Sequence, residues 1–147
     1  MICFFDTSAL AKLFMEEQGS DFVERIIMDE NHQIWVLDFS RIELLSSMFR
    51  RFRDNEISKD ELDEVINAFE EQFQEFEQEF LGPAVLYEAE QLMKEFGEKH
   101  GLRALDALQL GGCRMMNSPD LFFVCSDKKL CRIAEACGIN VLNPLGK

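Results

Sequence analysis

Four carboxylates stand where apolar segments of the chain end or are interrupted. Asp6 directly follows Ile2-Cys-Phe-Phe5, and Asp127 follows Leu121-Phe-Phe-Val-Cys125 after one residue. Glu43 falls in the first turn of a helix opening after Ile34-Trp-Val-Leu37, and Asp106 stands among Leu105, Ala107 and Leu108. A lone carboxylate in such an apolar stretch is costly unless it reaches a partner, a cation or an opening. Several carboxylates at close quarters repel, and some would hold a proton at neutral pH. A divalent cation reverses that balance. Oxygen donors with few nitrogens and no thiolates suit Mg²⁺ or Mn²⁺. An ion so held can polarise a phosphate and activate water for in-line displacement.

Each acid also has a plain structural explanation. Asp6 suits the cap of a helix beginning near Ser8. Glu43 is the fourth member of the capping-box pattern Ser40-Arg-Ile-Glu43. Asp127 suits an N-cap or first-turn position, and Asp106 complements a helix dipole. Capping does not explain why acids recur at several strand ends, nor why one interrupts an apolar helix. The pattern therefore favours a metal site.

The elements that must position these acids follow from hydrophobic spacing. Ile2–Phe5, Ile34–Leu37, Leu121–Cys125 and Ile139–Leu142 are short apolar runs that predict buried strands, with a weaker strand around Glu77–Leu81. Helices are expected over Ala9–Phe14, Ser20–Met28 and Ser40 to about Phe52. A second capping box, Ser58-Lys-Asp-Glu61, opens a helix with Leu62, Val65, Ile66, Phe69, Phe73 and Phe76 on one face. The next helix has Leu86, Ala89, Leu92, Met93 and Phe96 inside. Leu102–Met116 predicts a buried helix, and Lys128–Cys137 another with Gly138 beyond its end. Strands alternating with helices, each strand continuously apolar, imply a parallel sheet covered on both faces. In such sheets ligands bind beyond the carboxyl ends of the strands, which is where Asp6, Glu43 and Asp127 fall.

Composition narrows the class. The 147 residues suit one domain over 1–147, with no repeat, linker or low-complexity tract. No stretch approaches the roughly 20 apolar residues of a membrane span, and Met1–Asp6 lacks the pattern of a signal peptide. Cys3, Cys113, Cys125, Cys131 and Cys137 form no CxxC pair, so reduced thiols and a cytoplasmic location are expected. The net charge is −13, which opposes promiscuous nucleic-acid binding. It is uneven: residues 1–53 carry −3, residues 54–100 carry −12 and residues 101–147 carry +2. The two ends are left free to build a near-neutral or basic face.

Four segments taken together, Phe4-Phe-Asp-Thr-Ser-Ala-Leu10, Ser40-Arg-Ile-Glu43, Leu102-Arg-Ala-Leu-Asp-Ala-Leu108 and Val124-Cys-Ser-Asp-Lys-Lys-Leu130, resemble the PIN-domain family. The nearest likeness is to its single-domain, VapC-like ribonuclease toxins. The resemblance implies a three-layer α/β/α PIN-like fold with a central parallel sheet of about five strands. It implies Mg²⁺- or Mn²⁺-dependent cleavage of RNA phosphodiesters, leaving 5′-phosphate and 3′-hydroxyl ends. The family's four acids fall on Asp6, Glu43, Asp106 and Asp127, as catalytic and metal-binding residues. Ser8 matches the small hydroxyl that supports them; Ser126 either does similar work or is a helix cap. A cognate antitoxin and a homodimer are the partners the resemblance implies. Gly111-Gly-Cys113 replaces the alanines usual after the third acid, and a close backbone contact there is the expected reason.

Lys12, Arg103, Lys128, Lys129 and Arg132 lie near the acids in sequence and are candidates for phosphate contact. Arg50, Arg51 and Arg53 end a helix, where they complement its dipole or meet RNA. The competing functions are a PIN-fold module that holds RNA or protein without cutting, and a stand-alone RNA-processing nuclease. A haloacid-dehalogenase-like phosphatase is opposed by Ser8, which stands where a second Asp is needed. A response-regulator receiver is opposed by the lack of an acidic pair near the first strand.

Overall fold

A computed structural model describes residues 1–146. Its strands are β1 (Ile2–Phe5), β2 (Gln33–Leu37), β3 (Glu77–Glu79), β4 (Leu121–Val124) and β5 (Asn140–Leu142). Its helices are α1 (Thr7–Phe14), α2 (Ser20–Met28), α3 (Ser40–Arg53), α4 (Lys59–Phe73), α5 (Pro83–His100), α6 (Ala104–Arg114) and α7 (Lys128–Ala136). The strands make one sheet in the order β3-β2-β1-β4-β5, and every pairing is parallel. This is the expected three-layer α/β/α arrangement.

The pleat explains the layers. Successive side chains of a strand point to opposite faces. Cys3 and Phe5 of β1 enter a core with Leu10, Val23, Leu44 and Phe69 from α1–α4. Phe4 enters the other, with Val85, Leu92, Leu110 and Ile133 from α5–α7. Both faces are covered, which is why the central strands contain no polar alternation.

Local signals account for most boundaries. Ser58 accepts from the Glu61 amide while Glu61 accepts from the Ser58 amide, completing the expected box at the start of α4. Gly138, just past α7, has a φ of +79°, a left-handed conformation suited to a residue without Cβ. Gly111 and Gly112 allow close packing. A Cβ at Gly111 would lie 3.1 Å from the Ala89 amide nitrogen, and one at Gly112 would lie 3.1 Å from Leu37 Cδ1. The close backbone contact expected there is thus between α6 and α5.

Two expectations need correction. Ser40 is not the cap of α3. Phe39 occupies that position in a helical conformation with no side-chain cap bond, and Ser40 is buried inside the first turn. Along α5, Leu86 and Met93 face outward, Leu86 being 54% exposed. The inner stripe runs through Val85, Ala89 and Leu92, with half-buried Phe96 packed against it.

Candidate active site

The chain leaves β1 toward β2 on one side, and later places β4 on the other. That reversal opens a crevice beyond the carboxyl ends of β1 and β4. A cleft of about 440 Å³ lies there, lined by Asp6, Glu43, Asp106 and Asp127 together with Ser8, Thr7 and Gln109. Arg50, Arg51 and Arg103 line the same cleft.

Asp6 is buried at 4% exposure. It is the N-cap of α1: its Oδ1 accepts the Ala9 amide at 2.8 Å. Ser8 Oγ donates to the same carboxylate at 3.2–3.3 Å. Burial pushes the pKa of Asp6 from 3.8 up to about 6. The bonds from the Ala9 amide, the Cys125 thiol and Ser8 oppose that rise, and the charge of Asp106 adds to it. Asp127 caps α7 in the same manner, its Oδ1 accepting the Leu130 amide at 2.9 Å. Capping and cleft placement coexist at both residues.

Asp106, in the first turn of α6, reaches the cleft opening and meets Arg103 Nη2 at 3.4 Å. Its interruption of an apolar helix is explained by that opening. Glu43 does not fold back as a capping box would require. Its Oε1 accepts from Thr7 Oγ1 at 2.6 Å and from Gln109 Nε2 at 2.9 Å. Ser40 Oγ joins the cluster, 2.8 Å from Thr7 Oγ1 and 3.1 Å from Gln109 Nε2. Side chains from α1, α3 and α6 therefore share one partly buried network.

The other sequence candidates are dispersed. Lys12 is buried, with its ammonium bonded to Glu17 at 3.0 Å and to the Gln18 carbonyl at 2.9 Å. It does not line the cleft. Lys129 bonds the Gly101 carbonyl, while Lys128 and Arg132 flank a separate hollow on α7. Ser126 Oγ is buried with no hydrogen-bond partner among the described residues, and the helix cap beside it is Asp127. Arg51 pairs with Glu17 at 3.4 Å. Thr7 and Gln109 were not anticipated as site residues. A polar glutamine within the apolar stretch of α6 is the signal by which Gln109 could have been found.

The donor chemistry of the cleft fits a hard divalent cation: five carboxylates, of which Glu17 is paired with Lys12 and Arg51, and hydroxyl oxygens, with no imidazole or thiolate among its lining residues. The carboxylates are spaced along the cleft rather than clasped. Among the described residues no three His, Cys, Asp or Glu groups are gathered as a ready-made ion site. The five cysteines are free thiols, and no helix among the described residues is long and apolar enough to cross a membrane.

Comparisons with solved structures agree on this fold. The chain is similar to VapBC from Salmonella typhimurium, determined bound to DNA, with a TM-score of 0.70 and 14% identity over 98% of each chain. It is similar to VapBC2 from Rickettsia felis, bound to a DNA fragment from its promoter, with a TM-score of 0.68 and 17% identity over 97% of this chain and 98% of that one. FitAcB from Neisseria gonorrhoeae aligns with a TM-score of 0.67 and 14% identity over 98% of both. A search of curated proteins finds no match. Residues 3–136 match the family described as PIN domain, and with that match spanning most of the sequence the chain belongs to the PIN-domain family.

Proposed function

We propose that this chain is a metal-dependent endoribonuclease, the toxin of a type II toxin–antitoxin pair, forming one nuclease domain over residues 1–147. The observation that carries the reading is the convergence of Asp6, Glu43, Asp106 and Asp127 on one cleft at the reversal of the sheet. Its solved likenesses include VapBC proteins and a toxin–antitoxin complex from Klebsiella pneumoniae. An antitoxin that covers the cleft, a homodimer and a cytoplasmic setting belong to the same reading.

The four acids would hold Mg²⁺ or Mn²⁺. Such an ion polarises a phosphate and makes water a stronger nucleophile at neutral pH. The chain's own residues prepare for that. The Ala9 amide and Ser8 hydroxyl hold the Asp6 carboxylate at the floor of the cleft. Thr7 and Gln109 hold Glu43. Arg103, as the sequence suggested, and Arg50 and Arg51 supply positive charge at the cleft wall, where phosphates flanking the scissile bond would lie. Lys128 and Lys129, exposed at the start of α7, would extend that track. Lys12 is assigned no phosphate contact, because its ammonium is already bonded internally.

The test is cleavage of a mixed panel of structured and single-stranded RNAs with Mn²⁺, Mg²⁺ or EDTA, wild type beside Asp106→Asn. Cutting that needs metal and vanishes in the variant supports the proposal. Equal cutting by both proteins refutes it. A second reading, a PIN-fold module that holds RNA or protein without cutting, is favoured by the spacing of the carboxylates. Binding unaffected by Asp106→Asn, with no cleavage under any metal, would select it. Cleavage by a protein that co-purifies with no antitoxin would point to a stand-alone RNA-processing nuclease.

A further inference from the structure

The buried amide of Gln109 is hydrogen-bonded for a neighbour's benefit rather than its own. Gln109 lies on α6 three residues past Asp106 and is 3% exposed. Its Nε2 stands 2.9 Å from Thr7 Oγ1, 3.1 Å from Ser40 Oγ and 2.9 Å from Glu43 Oε1. Three oxygens thus compete for two hydrogens.

The directions of the protons follow from what each group is able to do. An ionised carboxylate only accepts. Thr7 Oγ1, at 2.6 Å, donates to Glu43 Oε1. With its single hydrogen spent there, Thr7 accepts from Ser40 Oγ at 2.8 Å. One amide hydrogen goes to Glu43, and the other is left for the two hydroxyl oxygens. Reversing the amide would set Oε1 against the carboxylate and remove a donor from it. The orientation that serves Glu43 leaves Gln109 Oε1 buried with no partner among the described residues. A buried glutamine serving only the fold satisfies both ends of its amide as a rule.

We infer that Gln109, acting with Thr7, is a positioning residue for Glu43, holding that carboxylate by Oε1 as an oxygen donor to the divalent cation. Oε2 takes no part in the network bonds and is left for the ion. The inference rests on the metal-site reading above and deepens it. Groups that orient a ligand from behind typically change metal affinity about ten- to a hundredfold when removed.

The experiment measures Mn²⁺ binding to the full-length, metal-stripped chain by isothermal titration calorimetry, with Mn²⁺ electron paramagnetic resonance as a check on coordination. Wild type is compared with Gln109→Leu, Thr7→Val and Thr7→Ser. Phe69→Leu, on the core side away from the cleft, is the control for lost stability. Gln109→Leu and Thr7→Val are expected to weaken Mn²⁺ binding about ten- to a hundredfold. Thr7→Ser, which keeps the hydroxyl, retains the affinity. Phe69→Leu lowers the melting temperature without moving the Kd, which separates positioning from general stability. Should Gln109→Leu not fold, the contrast between Thr7→Val and Thr7→Ser decides. Wild-type affinity in both Gln109→Leu and Thr7→Val would overturn the inference and leave the metal site standing. Failure of wild type itself to bind Mn²⁺ would overturn the metal-site reading, and the inference with it.

Discussion

Replacing Asp6 by Asn is expected to abolish cleavage and, at neutral pH, to make the protein more stable. Folding takes the Asp6 carboxylate out of water, and its pKa rises from 3.8 to about 6. Between those values the folded chain keeps a proton that the unfolded chain has released. Stability therefore falls as pH rises through that window, by about 1.4 kcal/mol for each pH unit, and levels off above it. By neutral pH the ionised group costs about 3 kcal/mol. Asn carries no charge to desolvate, and its side-chain oxygen still accepts the Ala9 amide that caps α1. The assay is urea unfolding of both proteins in EDTA across the range from about pH 4 to about pH 7.5. The two should be nearly equal at the acid end, with the Asp6→Asn variant ahead by up to about 3 kcal/mol at the neutral end. Added Mg²⁺ should then close the gap by stabilising wild type alone, because it binds the folded state. A difference that stays flat with pH, or one that favours wild type at neutral pH without metal, would refute the electrostatic reasoning.

Other substitutions separate packing from chemistry. Asp127→Asn should keep the α7 cap, whereas Asp127→Ala should lose about 1 kcal/mol in urea unfolding; both should lose cleavage. Gly111→Ala places a Cβ 3.1 Å from the Ala89 backbone nitrogen, so α5 and α6 must part. The overpacking cost of about 1–3 kcal/mol should exceed the gain of about 1 kcal/mol in helix propensity, and thermal melting reads the sign. Phe69→Ala should cost about 3–5 kcal/mol, since the ring is fully buried, packs at a tilt against Phe73 with centroids 4.8 Å apart and lies under Arg41 at 5.3 Å. Arg50→Ala and Arg51→Ala should raise KM for RNA while leaving kcat near wild type. A fall in kcat at constant KM would remove them from the phosphate track.

The layers were legible because the strands that matter are uninterrupted apolar runs. Ile2–Phe5 and Leu121–Val124 pair side by side at the centre of the sheet, buried on both faces. An acid soon after each run then has only one place to be. Asp106 was legible for the opposite reason, as a charge where an apolar helix offers none a home. Glu43 was located correctly but its bonding was misjudged. The Ser-x-x-Glu pattern is the same whether Ser is the cap or the first helical residue, and only partners far along the chain distinguish the two. Gln109 lies 66 residues from Glu43 and 102 from Thr7, so no local spacing announces their contact. Lys12 shows the limit of proximity in sequence. It sits six residues from Asp6, yet α1 turns its ammonium to Glu17 and the Gln18 carbonyl. Leu86 and Met93 were misplaced because a helix so rich in apolar residues offers two stripes, and packing against α6 selects the one through Val85, Ala89 and Leu92.

Asp6 and Asp127 each spend one oxygen on starting a helix that covers the sheet. Inheritance therefore treats these two codons unusually. If both serve the proposed reaction, most replacements are penalised twice, once for the lost reaction and once for the frayed helix start. Asn is penalised only for the reaction, and a single base change converts either Asp codon to an Asn codon. A descendant lineage that kept this fold after abandoning such a reaction could pass through Asn at both positions without fraying either helix. On the proposed role, asparagine there in an otherwise intact relative would mark a lost activity on a sound scaffold.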